Sequence, residues 1–356
     1  MTEQKKVLPS DEGPKVLKES KKTIRVDFER TDKWTKFKIK YLSSNFLFTA
    51  IWSLFRFLLL VGISYVILQP FFSKIASSFM APENFVDATV KFIPKYPTLD
   101  TYKAVFTELG YFRAFANTLT LSLLCAVIQT FICCLIGYGF AKFKFRGSKL
   151  LFALVIFTMI VPHNTLKLSL YLHFRFFDIF NIFGLLGGDV FKRFSVIDFT
   201  YLKLVDTYWP LVLLSLGGLA FKNGLYIFMM RQFFRGVPDE LEESAYIDGS
   251  GVFRTFMTII IPLSIPMMIT IFLFAFSWQW TDNFYTNLFF PTEAVKLMPD
   301  IVGVPKSLQI DYAGQSLYYA AIQNTCGLVI LFPLIILYLF CQRFLIQGIE
   351  RSGIIG

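Results

Sequence analysis

The sequence predicts an all-α, multi-pass membrane protein with six transmembrane helices and both termini cytoplasmic. Three observations carry this. Hydrophobic residues make up 55% of the 356, with 43 Phe and a mean hydropathy of +0.55. Charged residues make up only 17%, against about 25% in an average soluble domain. The apolar residues gather in six stretches of 23 to 26 residues, each long enough to cross a hydrocarbon core of about 30 Å at about 1.5 Å per helical residue. A soluble enzyme, a disordered chain and a disulfide-stapled module are excluded, and a β-barrel would alternate over strands of about ten residues.

The stretches are Phe46–Leu68, Phe115–Phe140, Leu150–Leu172, Tyr208–Met230, Thr258–Trp280 and Tyr318–Cys341. The third is the weakest: Pro162 removes a backbone donor, so a kink or break is expected there. Residues 1–45 read as a basic cytoplasmic tail with 12 Lys/Arg and 7 Asp/Glu. Lys15, Lys18, Lys21, Lys22 and Arg25 occupy the place where a secretory signal would carry its apolar core. Trp34, Phe37, Ile39 and Tyr41 place part of this tail either at the headgroup interface or in solvent. Residues 46–114 then form the first span and an extracytoplasmic loop, 115–345 the main transmembrane domain, and 346–356 a cytoplasmic tail.

Orientation follows from the basic residues between spans, since Lys and Arg favour the cytoplasmic side. Segments 1–45, 141–149, 231–257 and 342–356 hold 21 of them; 69–114, 173–207 and 281–317 hold 11. The turn 141–149 is the clearest, with four basic residues and no acid. Segment 231–257 is the exception, with three basic and five acidic residues. The net charge of +10 suits a surface facing anionic lipid, and nothing points to nucleic acid.

Several chemistries lack their residues. None of the 21 glycines is followed by Lys, so no Walker A loop is present and ATP must be hydrolysed on another polypeptide. His163 and His173 have no ligand grouping around them, and the five cysteines form no metal-binding pattern, so no metal is expected. Arg56, Lys167 and Lys222 are the charges within the spans, with no carboxylate there to pair with. Ion-coupled carriers usually show intramembrane carboxylates or helix-break ion sites, so their absence disfavours that class.

The acidic segment carries the most information. Pro238 suits a first helical turn, Asp239, Glu240, Glu242 and Glu243 complement the positive end of the helix dipole, and Gly249 suits a left-handed stop. Residues 238–248 therefore read as a helix of about three turns, too short to hold alone in water. It either docks onto a partner or lies solvated between two spans.

The run Glu243-Ser-Ala-Tyr-Ile-Asp-Gly249, followed after nine residues by Ile259-Ile-Ile-Pro262, resembles the EAA loop of binding-protein-dependent ABC importer permeases. The pattern there is E-A-A, three residues, G, nine residues, I-x-L-P; Ser244 and Ile261 are the departures. Pro97-Thr-Leu-Asp-Thr-Tyr102, Asn117-Thr-Leu, Gly137-Tyr-Gly-Phe-Ala-Lys-Phe-Lys-Phe-Arg-Gly147, Arg231-Gln-Phe-Phe234 and the ending from Gly348 resemble the carbohydrate-uptake branch, on the side of the maltose-type second permease subunit. The segment around 177–202 is longer than is usual there.

The resemblance implies the type I ABC importer fold in a bacterial-type plasma (inner) membrane. It also implies a second permease subunit, an ABC ATPase dimer carrying ATP and Mg, and an extracytoplasmic solute-binding protein, with no cofactor in this chain. Loop 237–262 would couple to the ATPase through Glu243, Ser244, Ala245, Asp248, Gly249, Ile259 and Pro262. Glu243 would meet a basic residue and Ala245 would pack in the ATPase's cleft. Rings and amides at Trp278, Gln279, Trp280, Asn283, Gln323 and Asn324 suit a sugar path, although aromatic residues gather at any membrane interface. The alternatives are an importer for another solute, and, from a different class, a secondary carrier or channel.

Overall fold

The computed structural model describes residues 44–178, 202–292 and 294–353, with side chains from residue 48 to residue 346 of those ranges. The N-terminal tail 1–43, most of the long third-to-fourth connection and the last three residues lie outside the described residues. The chain divides into two compact units, Met1–Phe72 and Ser73–Gly356. Most of helix α1, Ser44–Ser78, belongs to the first.

In the second unit, Met80 and Pro97 bridge a loop closed around Asn84. The buried Asn84 amide donates to the carbonyls of Ala81 and Tyr96 and accepts the N–H groups of Lys95 and Tyr96. Then follow α2 (Asp100–Glu108), α3 (Tyr111–Lys142), α4 (Ser148–Ile160), α5 (Lys167–Arg175), α6 (Trp209–Leu216), α7 (Asn223–Arg235) and α8 (Glu240–Ile247). The chain ends with α9 (Val252–Trp280), α10 (Phe284–Phe289) and α11 (Gln315–Gly353). Among the described residues four helices are long and apolar enough to cross a membrane, or five if the bent pair around Pro162 is counted as one span.

α3 is the central element, packed along α7 and α9, with α9 in turn against α11 and α4 against α7. The sequence explains why. Ala114, Thr118, Ser122, Ala126, Thr130, Cys134 and Tyr138 recur every fourth residue and are all buried, as are Cys125, Gln129, Cys133 and Gly137 beside them. Small side chains let helix backbones approach within a membrane, where dispersion contacts rather than water exclusion drive association. A Cβ on Gly137 would stand 2.5 Å from Met230 Cβ and 3.0 Å from Arg231 N, so α3 and α7 meet nearly backbone to backbone.

The expected break at Pro162 is present: α4 and the helical segment from His163 to Arg175 meet at 95°. The fourth expected span, Tyr208–Met230, requires correction, because it is not one helix. α6 stops at Leu216 and α7 starts at Asn223. The N–H of Leu219 returns to the Leu214 carbonyl at 2.9 Å and that of Gly218 to Ser215 at 3.2 Å, with Gly218 at φ +69°. This pairing satisfies the last carbonyls of α6 and turns the chain away.

The fifth stretch starts earlier than expected, at Val252 rather than Thr258, and contains a π turn at Phe256–Ile260. Pro262 has no N–H and its ring crowds the carbonyl four residues back; a wider turn upstream relieves that conflict. The last helix also runs on through residues 346–353, expected as tail.

Candidate functional site

α8 forms where the acidic segment predicted a helix, two residues shorter at its start and one at its end. The N–H groups of Glu242 and Glu243 both reach the Asp239 carbonyl at 3.0 Å. Its last turn closes on Gly249 at φ +79°, with Ser250 N–H returning to Ala245 at 2.9 Å and Gly249 N–H to Tyr246 at 3.0 Å. Open space surrounds the position a Cβ would take on Gly249, so backbone strain alone opposes a side chain there. Gly249→Ala is expected to destabilise this turn by about 1–2 kcal/mol, read as faster hydrogen exchange confined to α8 and residues 248–251.

The acidity of the segment has a structural explanation. Lys142, the last residue of α3, is one of the four basic residues of turn 141–149, and its side chain is only 7% exposed. Its ammonium donates to the Val237 carbonyl at 2.6 Å and to Asp239 Oδ1 at 2.5 Å, and lies 3.6 Å from Glu242 Oε1. Tyr138, one turn earlier on α3, donates its hydroxyl to Glu242 Oε2 at 3.2 Å. The Tyr138 ring packs against Phe143, Phe234 and Phe256, from the turn after α3, from α7 and from α9. α8 is thus pinned at its N-terminal end to the bundle. The Lys142 hydrogen bond and charge hold the exposed Asp239 carboxyl below its usual range. This contribution is therefore full above the ordinary Asp pKa and fades as pH falls through the lowered one.

Glu242 and Ala245 face inward, whereas Glu243, Ser244 and Asp248 are exposed and Ile247 is 86% exposed. Ser244, Ala245, Asp248 and Ile259 line one open hollow of about 270 Å³ with Arg254 and Thr258. Ala245, expected to enter a partner's cleft, is buried against this chain, and Pro262 lies exposed on α9. The inward face of α8 is made by Glu242 and Ala245, and Leu241 is exposed. The roles of Lys142 and Tyr138 were missed by sequence reasoning, which used Lys142 for orientation and both residues only as part of the run from Gly137 to Gly147.

The six residues expected along a solute path do not form one group. Trp280 is fully buried: its indole N–H donates to the Ile330 carbonyl at 3.0 Å, and its ring packs against Phe115 and Phe276. It joins α9 to α11. Gln323 is exposed on α11, and Asn324 lines a different hollow, with Ser73, Lys74 and Asn84. Asn283 is exposed just ahead of α10.

Trp278 and Gln279 do come together, beside Gln129, Phe221, Asp282 and Tyr285. Asp282 Oδ2 accepts the N–H groups of Tyr285 and Thr286, and burial pushes its carboxyl up to about 6 against their pull. Lys222 enters the same neighbourhood at φ +66°, a conformation costing a side-chain-bearing residue about 1–2 kcal/mol. Gln129, Tyr285 and Asp282 carried no sequence signal, because lone polar residues at these positions have no diagnostic spacing.

Comparison with known proteins fits this architecture. Residues 134–351 match the family described as binding-protein-dependent transport system inner membrane component. The chain is 26% identical over 306 residues to the galactooligosaccharides transport system permease protein GanQ of Bacillus subtilis, covering 85% of this chain and 95% of that one. It is 25% identical over 312 residues to the polygalacturonan/rhamnogalacturonan transport system permease protein YtcP of Bacillus subtilis, covering 85% and 97%. A crystal structure of a bacterial ABC transporter involved in the import of the acidic polysaccharide alginate includes a chain of similar fold. Its TM-score is 0.59 at 20% identity, over 83% of this chain and 96% of that one. With the family match spanning more than half its length, the chain belongs to the binding-protein-dependent transport system inner membrane components.

Proposed function

We propose that this chain is a transmembrane permease subunit of an ATP-driven importer for an oligosaccharide or related carbohydrate. It works in a bacterial plasma membrane beside a second permease subunit and an ABC ATPase dimer, and it receives solute from an extracytoplasmic binding protein. The sugar class is supported by the named substrates of the relatives and by the sequence resemblance. Six spans are proposed, counting the bent pair α4–α5 as one and the broken pair α6–α7 as another. Hydrolysis of ATP belongs to the ATPase subunits.

The observation that carries the coupling role is the mounting of α8. Its N-terminal end is clamped by Lys142 to α3, the helix that contacts α7 and α9. Its opposite face, with Glu243 and Ile247, is exposed. A partner that moves α8 therefore moves the bundle, as a lever must if ATPase closure is to favour one of two membrane states. The region 237–262 is the proposed coupling loop, and Glu243 is its charged contact.

Glu243→Lys tests this directly. It is expected to abolish co-purification of the ATPase or to cut ATP-driven uptake at least tenfold, while the chain still inserts in the membrane. Normal solute-stimulated hydrolysis and uptake in that variant would remove Glu243 from the docking surface.

A further inference from the structure

Lys222 is the most unusual residue of the membrane region. It sits where the fourth apolar stretch breaks, between α6 and α7, in a left-handed conformation rare for residues with a side chain. Its ammonium lies 4.9 Å from the ring centre of Phe221 and 5.1 Å from that of Trp278. Among the described residues no carboxylate pairs with it. Of the three basic residues within the predicted spans, Arg56 and Lys167 are exposed, whereas Lys222 is half-buried. A cation held this way in a low-dielectric region attracts an anion strongly.

The surroundings provide the rest of a ligand site. Lys222 lines a cavity of about 470 Å³ together with His163, Asn223 and Tyr285. The His163 ring contacts Phe221 at 4.5 Å, and also Tyr285. Asn223 is 1% exposed, and neither its amide oxygen nor its amide nitrogen has a partner. The adjoining hollow beyond Phe221 and Tyr285, where Gln129 Oε1 and Gln279 Nε2 are buried beside the Asp282 carboxyl, is only about 10 Å³ and has room for one water. Buried amide atoms rarely stay unpaired, so the two free atoms of Asn223 mark a place in the larger cavity where something else bonds. Hydroxyl-bearing rings suit it: hydroxyls both donate and accept, and the exposed face of Trp278 offers a surface for sugar C–H groups.

We propose that the break between α6 and α7 is a subsite for an anionic group on the transported saccharide, with Lys222 pairing the charge and the Asn223 amide bonding hydroxyls. The proposal rests on the importer reading and narrows its solute to sugars carrying a carboxylate or a phosphate. Uronate and sugar phosphate share this chemistry, and the test separates them.

The assembled importer in nanodiscs, without its binding protein, is titrated with trigalacturonate, glucose 6-phosphate and neutral galactotriose. At least one anionic sugar is expected to bind tenfold or more tightly than galactotriose, and the stronger of the two names the group. The preference should fall as salt is raised, should persist in Lys222→Arg and should vanish in Lys222→Gln. Equal binding of charged and neutral sugars by the wild type, which needs no variant to fold, overturns the proposal. So does a preference that survives Lys222→Gln. ATP-driven uptake in vesicles separates the two readings. Uptake of galactotriose without anionic preference leaves the importer standing and removes this subsite. An anionic preference in binding with no ATP-driven uptake of any of the three sugars removes the importer reading and leaves the subsite.

Discussion

Replacing Lys142 with Met is expected to detach α8 from the bundle and, on the coupling reading, to leave ATP hydrolysis without transport. Both Lys142 and Glu242 are largely buried, with side chains 7% and 10% exposed. Removing one partner of a buried ion pair while the other stays behind costs about 3–5 kcal/mol. Asp239, at 78% side-chain exposure, adds little beyond orientation, because an exposed pair is worth at most about 1 kcal/mol. The decisive loss is therefore the counter-charge to Glu242, together with the ammonium's bond to the Val237 carbonyl. Hydrogen exchange should accelerate in residues 239–248, and ATP-driven uptake should fall at least tenfold while hydrolysis persists.

The double variant Lys142→Met/Glu242→Gln separates a clamp from a mere charge effect. With no charge left to strand, and with the Tyr138 hydroxyl still able to bond the amide, it should recover much of the exchange protection. Protection unchanged in Lys142→Met would show that packing around Ala245 and Tyr138 holds α8 by itself.

The sequence exposed those features of the fold that are written in runs of residues. Apolar length located every long helix, and Pro162 located the break between α4 and α5, because a missing donor and a ring clash act locally. Gly249 marked the end of α8 for the same reason. The broken fourth stretch was not legible. From Tyr208 to Met230 the composition is mostly apolar, Lys222-Asn223 alone did not mark a break, and Gly217-Gly218 is tolerated in many membrane helices; what ends α6 is the capping geometry around Gly218. The direction in which α8 faces was also hidden. Glu242 and Glu243 are adjacent acids in one run, and only the position of Lys142 at the end of α3, about a hundred residues earlier, decides which of them turns inward. Pairings of that range have no spacing rule.

Trp280→Ala is expected to be among the most destabilising single changes in the chain, and its contrast with Trp278→Ala tests how the end of α9 is divided between structure and solute. The Trp280 ring is enclosed by Phe115 and Phe276, and its one polar atom is bonded to the Ile330 carbonyl. Truncating a fully enclosed aromatic side chain costs about 3–5 kcal/mol through lost contacts and an unfilled cavity. Losing the indole donor also removes the hydrogen bond that ties α9 to α11, which is why Trp280→Phe should still cost about 1 kcal/mol. Trp278 is 48% exposed and its ring faces the Lys222 ammonium, so its truncation removes far less packing. Melting of the purified complex should therefore drop sharply for Trp280→Ala and little for Trp278→Ala. Sugar affinity should change the other way: weakened in Trp278→Ala, and preserved in Trp280→Phe measured well below its melting temperature. If Trp280→Phe instead alters which sugar binds, the α9–α11 joint itself lies on the solute path.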